Sequence, residues 1–203
     1  MKGKKKAFTV WFTGLSGSGK TTLAEMLDHA LVGRDIRSEI IQGKEIRKII
    51  SEGLGFSLKD REKNIRRMGE VCRLLAKNGV AAIAVAISPI REARERNRKM
   101  LGAYIEVYCK CSLEELRRRD KNRLYSRATA GEIKHVAGID DPYEAPLKPE
   151  VVVETDQESP EEGLKRILMT LEVLGYIPKA RISPYSAEEE ELIRKHLKIM
   201  GYL

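Results

Sequence analysis

The chain alternates short, β-branched apolar runs with longer stretches whose apolar residues recur at helical spacing. Residues 7–13 read as a buried strand, 20–31 as a helix, 36–42 as a second strand, and 44–50 as a short helix broken by Gly53-Leu54-Gly55. From 58 to 78, Ile65, Met68, Cys72 and Leu75 share one helical face, and Gly79 follows as a C-cap. Residues 80–87 are apolar throughout, as a central parallel strand buried on both faces requires. A charged helix over 90–101, a strand at 103–109 and a helix from Ser112 come next. The periodicity disappears from 120 to 149, where Gly131, Gly138, Pro142, Pro146 and Pro149 punctuate a charge-rich loop. A loop that long in a compact domain is usually functional, and a lid is the expectation. Residues 151–154 form a fifth strand, and Ser159-Pro160-Glu161-Glu162 opens a helix with a cap, an early proline and first-turn acids. This order predicts an α/β fold: a parallel, doubly wound, five-stranded sheet flanked by helices. It divides the chain into a domain at 1–178 and a helical extension at 179–203, where Ser186 and Glu189 make a capping box before Leu192, Ile193 and Leu197.

Composition narrows the class. With 203 residues, 42% of them apolar and 33% charged, the chain suits one globular α/β domain. Its longest apolar run, 80–87, is far short of the roughly 20 residues needed to cross a bilayer. The basic start, Met1 to Lys6, lacks the long apolar region and cleavage site of a secretory signal. Cys72, Cys109 and Cys111 are odd in number and form no zinc set, so they read as reduced structural thiols of a cytoplasmic protein. The net charge of +8 points to anionic partners, yet only 5% of residues are aromatic, too few for a stacking platform, so nucleic acid is not the expected partner. Most of the charge at 91–99 and in the N-terminal lysines reads as ordinary solvated charge.

One motif carries definite chemistry. Gly14-Leu15-Ser16-Gly17-Ser18-Gly19-Lys20-Thr21 fits G-x-x-x-x-G-K-[ST] between a predicted strand and a predicted helix. Glycines let backbone N–H groups converge on phosphate oxygens, and the helix N-terminus adds positive potential. Lys20 reaches the β- and γ-phosphates of ATP, Thr21 offers its hydroxyl to Mg²⁺, and Thr22 completes the nucleotide-binding set. No N-K-x-D stretch or D-x-x-G switch marks a GTPase, and the lid favours a small-molecule kinase.

Further motifs carry a resemblance. Leu54-Gly55-Phe56-Ser57, Asp60-Arg61, Asn64-Ile65-Arg66-Arg67, Ile87-Ser88-Pro89, Leu124-Tyr125, the run from Ala130 to Lys134, and the run from Gly138 to Pro146 together resemble the adenylylsulfate (APS) kinase family. That resemblance implies a P-loop kinase moving the ATP γ-phosphate to the 3′-hydroxyl of APS in sulfate assimilation, often as a homodimer. It implies that Arg47, Arg61 and Asn64 hold the phosphosulfate and ribose, Phe56 stacks on adenine, Ile87 and Ser88 line the acceptor site, and Lys134 approaches from the lid. Lys20, Lys44 and Ser88 are the candidate catalytic residues.

The chain departs from that family at two places. Where the family carries Asp-Gly-Asp, this sequence reads Gln42-Gly43-Lys44, so two acids are lost and a cation gained. Where the family has a lid aromatic closing over the acceptor purine, Val136 stands. Three readings follow: an atypical APS kinase using Glu45 or Asp60 as base, a kinase for a more anionic nucleotide, or a nucleotide-binding regulatory unit without turnover.

Overall fold

A computed structural model describes residues 7–180 and 185–203. Residues 1–6, with the N-terminal lysines, and residues 181–184 lie outside the described residues. Five parallel strands form one sheet: β1 (Thr9–Thr13), β2 (Ser38–Gln42), β3 (Ala81–Val85), β4 (Tyr104–Lys110) and β5 (Val151–Glu154), in the order β2-β3-β1-β4-β5. In register, Thr9 of β1 pairs with Ala82 on one side and Tyr104 on the other, so the carboxyl ends of the strands share one edge. The predicted doubly wound sheet is present; β1 and β2 begin two residues later than expected, β3 is shorter by three, β4 is shifted by one and β5 matches.

Helices cover both faces. Phe8, Val10 and Phe12 pack toward α1 (Lys20–Val32) and α7 (Pro160–Val173) in the larger core, which includes Leu27, Leu31 and Ile167. Trp11, Ala82 and Ala84 point the other way, against Met68 and Cys72 of α3 (Leu58–Lys77). The pattern is the alternation of a pleated strand, with a helical stripe set against each side. A short α2 (Gly43–Ile49) follows β2, and α4 (Arg91–Leu101) and α5 (Leu113–Arg119) follow β3 and β4.

The structure corrects two expectations. The 120–149 segment is not wholly irregular: α6 (Leu124–Thr129) lies within it, with the Asp120 carboxylate accepting from the Tyr125 N–H at 2.7 Å. Nor is the charge of 91–99 all solvated. Arg94 is 1% exposed and paired with buried Glu106 at 2.8 Å, because α4 lays that face against the sheet. All three thiols are unpaired, and burial raises those of Cys72 and Cys109 to about 12, so neither is a ready nucleophile. The predicted cap at Ser159 forms, as a capping box with Glu162, and the predicted capping box at Ser186–Glu189 opens α8 (Ala187–Ile199). Among the described residues no helix is long and apolar enough to cross a membrane.

Candidate active site

The loop from β1 to α1 is shaped by its glycines. Gly14 has φ +146, and a Cβ there would fall 2.4 Å from the Cys109 carbonyl oxygen; Gly17 and Gly19 are left-handed at φ +78 and +77. Only glycine takes those conformations without strain, which brings successive N–H groups to one side of the loop. The buried Lys20 ammonium donates to the Leu15 carbonyl at 2.6 Å and to Ser18 Oγ at 3.4 Å. Burial lowers its pKa to about 8. From the lid, the Tyr125 hydroxyl donates to the Ser16 carbonyl at 2.6 Å and joins α6 to the phosphate loop.

A cavity of about 290 Å³ opens on one flank of that loop. Ser16, Gly17, Lys20 and Thr21 form its floor, and Gln42, Gly43, Lys44 and Arg47 supply a wall from β2 and α2. Arg61, Asn64 and Ile65 of α3 face them, and Ile87-Ser88-Pro89 after β3 closes the end. Asn64 is tied to the Gly43 carbonyl at 3.1 Å through Nδ2, and its Oδ1 is buried with no partner. Arg47 donates to the Gly55 carbonyl, while Arg61 donates to the Phe56 carbonyl at 2.9 Å and reaches across to the His135 carbonyl of the lid. Burial lowers the pKa of both guanidiniums, which in proteins stay protonated. The Ser88 hydroxyl accepts from Trp11 Nε1 at 3.0 Å, so it is fixed by the sheet; the N-cap of α4 is Ile90, two residues on.

Two expected site residues, Phe56 and Lys134, and the departure at Val136 stand apart from the cavity wall. Phe56 is 57% exposed at the rim, with the Arg47 and Arg61 guanidiniums 4.7 and 5.6 Å from its ring centre. Lys134 is exposed on the lid. Val136 is buried with Leu116, Tyr125 and Ala128 in a small lid core, so this position serves packing here. The lid tip is held by Asp140, whose carboxylate accepts from the His135 N–H at 2.5 Å and the Val136 N–H at 2.7 Å. Neither candidate base reaches the cavity: Glu45 is exposed on α2, and the Asp60 carboxylate accepts from Ser57 Oγ at 2.8 Å at the head of α3. Four cations and no carboxylate line the site.

A second cavity, of about 350 Å³, lies on the opposite flank of the loop, lined by Gly19, Thr22, Leu23, Arg119, Thr155 and Ser159 among others. Arg119 is set there by bonds to Glu115 at 2.6 Å and the Thr155 carbonyl at 2.7 Å. Of this set the sequence reading singled out only Gly19 and Thr22 as binding residues. The available signal was position: Thr155 directly follows β5, at the carboxyl edge where open parallel sheets bind ligands.

As for a metal, no group of three His, Cys, Asp or Glu residues suited to an ion occurs among the described residues, and Lys44 faces the cavity. Mg²⁺ sites usually take one or two carboxylates besides substrate phosphates. This donor set, the Thr21 hydroxyl alone, does not fit an ion held by the protein.

A phosphate loop between two cavities, on the carboxyl edge of a parallel sheet, is the arrangement of a P-loop kinase. The comparisons with known proteins specify it further. A family model for adenylylsulphate kinase matches residues 6–154. The chain is 49% identical over 172 residues to an adenylyl-sulfate kinase of Picosynechococcus, covering 85% of this chain and 97% of that one. It is 51% identical to a probable bifunctional SAT/APS kinase of Sorangium cellulosum, covering 85% of this chain but spanning only 30% of that longer protein. A Mycobacterium tuberculosis APS kinase, solved in complex with AMPPNP and APS, superposes with a TM-score of 0.76 at 37% identity, covering 80% of this chain and 96% of that one. The chain belongs to the adenylylsulphate kinase family.

Proposed function

We propose that this chain transfers the γ-phosphoryl group of ATP to the 3′-hydroxyl of adenylylsulfate, giving 3′-phosphoadenylylsulfate and ADP, a step of sulfate assimilation. The carrying observation is that the cation-lined cavity shares Lys20 and Thr21 with the phosphate loop, so an acceptor held there meets the donor's terminal phosphate. The acceptor oxygen attacks the γ-phosphorus as the bond to the β,γ-bridging oxygen breaks, and that electron pair leaves on ADP. The transition state is loose and needs positioning and charge stabilisation more than covalent help.

Lys20 and the loop N–H groups stabilise the transferring phosphoryl group, with the loop running from Gly14 through Leu15, Ser16, Gly17, Ser18 and Gly19 to Thr21 and Thr22. Arg47 and Arg61 present forks suited to phosphate and sulfate oxygens. The orphaned Asn64 Oδ1 suits a ribose hydroxyl, Ile87 and Ser88 shape the end of the site, Phe56 stacks from the rim, and Lys134 approaches as the lid closes. The second cavity takes the adenosine of ATP beside Arg119. Mg²⁺ would be held chiefly by the ATP phosphates, whose charge it would neutralise, with the Thr21 hydroxyl the one protein group expected beside it. With no carboxylate in the wall, the acceptor proton leaves to solvent or phosphate oxygen. Unpaired thiols suit the cytoplasm, and a homodimer belongs to the same proposal.

Purified protein with ATP·Mg²⁺ and adenylylsulfate forms the 3′-phosphorylated product, detected by chromatography. The four cations also favour a second reading, a nucleotide more anionic than adenylylsulfate, so nucleoside bisphosphates belong in the same assay. ATP binding with no product from any acceptor would mark a regulatory nucleotide binder.

A further inference from the structure

The C-terminal extension, through Tyr202 just beyond α8, reaches the acceptor site by a buried chain of charges. The Tyr202 hydroxyl donates to Glu150 Oε1 at 2.5 Å and accepts from Arg98 at 2.7 Å. Glu150, its side chain wholly buried, also accepts from Arg98 at 2.5 Å and from the Glu106 N–H at 2.5 Å. Glu106 pairs with both Arg98, at 3.2 Å, and Arg94, at 2.8 Å. Arg94 in turn donates to the Ser88 carbonyl at 2.5 Å and the Glu144 carbonyl at 2.6 Å. Two guanidiniums and two carboxylates thus run from the tail to the cavity wall. Close by, the ring nitrogen of His196 on α8 lies 3.0 Å from the Pro149 carbonyl, so the tail holds both residues that lead from the lid into β5.

The far end of this chain is a strained residue. Ser88 has φ +48, a left-handed conformation that is uncommon outside glycine and persists where surrounding contacts over-determine it. Its carbonyl is held by Arg94 and its hydroxyl by Trp11. Trp11 stacks on Tyr104, whose other neighbour is the Arg98 guanidinium, 4.8 Å from the ring centre. A second route therefore joins the same two ends. The family model stops at residue 154, well before Tyr202.

We infer that the C-terminal extension is a positioning element of the acceptor site: Tyr202, acting through Glu150, Arg98 and Arg94, holds Ser88 and the returning arm of the lid at Glu144 in their working geometry. Tyr202 and Arg98 are positioning residues, since neither lines the cavity. On the donor side Arg119 and the phosphate loop are held by Glu115, Thr155 and Tyr125, none of which lies in the C-terminal extension. The inference rests on the proposed phosphoryl transfer for its kinetic readout alone.

Tyr202→Phe in the full chain removes one hydroxyl and keeps the ring. The Michaelis constant for adenylylsulfate should rise about three- to tenfold, the scale of one lost hydrogen bond. That for ATP should stay within about twofold, a split that general loosening would not produce. Trp11 is the only tryptophan, and its emission reads the Ser88 contact without any turnover, so Tyr202→Phe should shift it. Lys179→Ala breaks only an exposed ion pair to Glu190 and should move neither readout. Unshifted Trp11 emission, or equal rises in both Michaelis constants, overturns the inference. Absence of product from the wild-type chain overturns the proposed reaction and leaves the Trp11 test standing.

Discussion

The two flanks of the phosphate loop are built from different materials. On the donor side the ligand-facing groups are largely backbone, shaped by glycines at φ +146, +78 and +77 and closed by a single buried lysine. On the acceptor side they are side chains gathered from the end of β2, α2, α3 and the turn after β3. A backbone cradle depends on spacing and tolerates change elsewhere. A side-chain wall changes character with each substitution, and Gln42 and Lys44 recast the charge of this one without touching the loop. The same fold therefore sets a backbone-shaped phosphate loop beside a cavity lined by four cations and, among the described residues, no carboxylate.

The comparison breaks first at Lys20. Lys20→Ala should lower turnover by about 10²–10³, the usual cost of removing one preorganised donor to developing charge. Calorimetry should show ATP affinity falling with it, while adenylylsulfate affinity, which the proposal assigns to Arg47 and Arg61, stays nearly as before. Unchanged ATP affinity would mean that the loop acts without its lysine, against the division drawn between the two flanks.

The acceptor flank is tested by restoring what it lacks. The double variant Gln42→Asp with Lys44→Asp should raise turnover with adenylylsulfate about 10²-fold, the low end of the 10²–10⁴ range that a positioned base supplies. It should also lower the Mg²⁺ concentration needed for half-maximal rate, since a carboxylate then faces the phosphates. Both residues sit at the cavity wall rather than in the core, so folding is not at stake. An unchanged or lower rate would show a site rebuilt around its lysine, with a more anionic acceptor as its substrate.

The same contrast governs what could be read from the sequence. Five strands and the phosphate loop were legible because period, glycine spacing and motif are local properties. The short α6 was not, since its six residues are held by Asp120 at one end and by the Tyr125–Ser16 contact, both set by folding rather than by periodicity. In the acceptor site, Lys44, Arg47, Arg61, Asn64, Ile87 and Ser88 do meet in one cavity. Val136 was legible as a departure but not as a core residue of the lid, because its partners, Leu116 and Tyr125, are distant in sequence. Arg94 and Arg98 looked like solvent charge on a helix of alternating sign. Their acidic partners Glu106 and Glu150 come from a buried strand and from the foot of the lid, which only the fold brings together.

The mildest way to separate the flanks is pH. Burial lowers Lys20 to about 8 from its ordinary 10.5, so the empty protein binds fewer protons than its unfolded chain between those values. The burial penalty on folding is complete below pH 8 and relaxes as pH rises through that window, so this residue makes the empty protein more stable toward alkali. ATP affinity should move the other way. Its phosphates need the ammonium, so above pH 8 binding must draw a proton onto Lys20 and affinity should fall by up to about tenfold per pH unit. Arginines stay charged throughout, so the contribution of Arg47 and Arg61 to adenylylsulfate affinity should hold nearly constant over the same interval. Titration calorimetry at several pH values, in two buffers of different ionisation heat, measures both the affinity and the proton uptake. A flat ATP affinity from neutral pH through pH 9, with no proton taken up, would place Lys20 among ordinary lysines and remove the electrostatic distinction between the donor and acceptor sides.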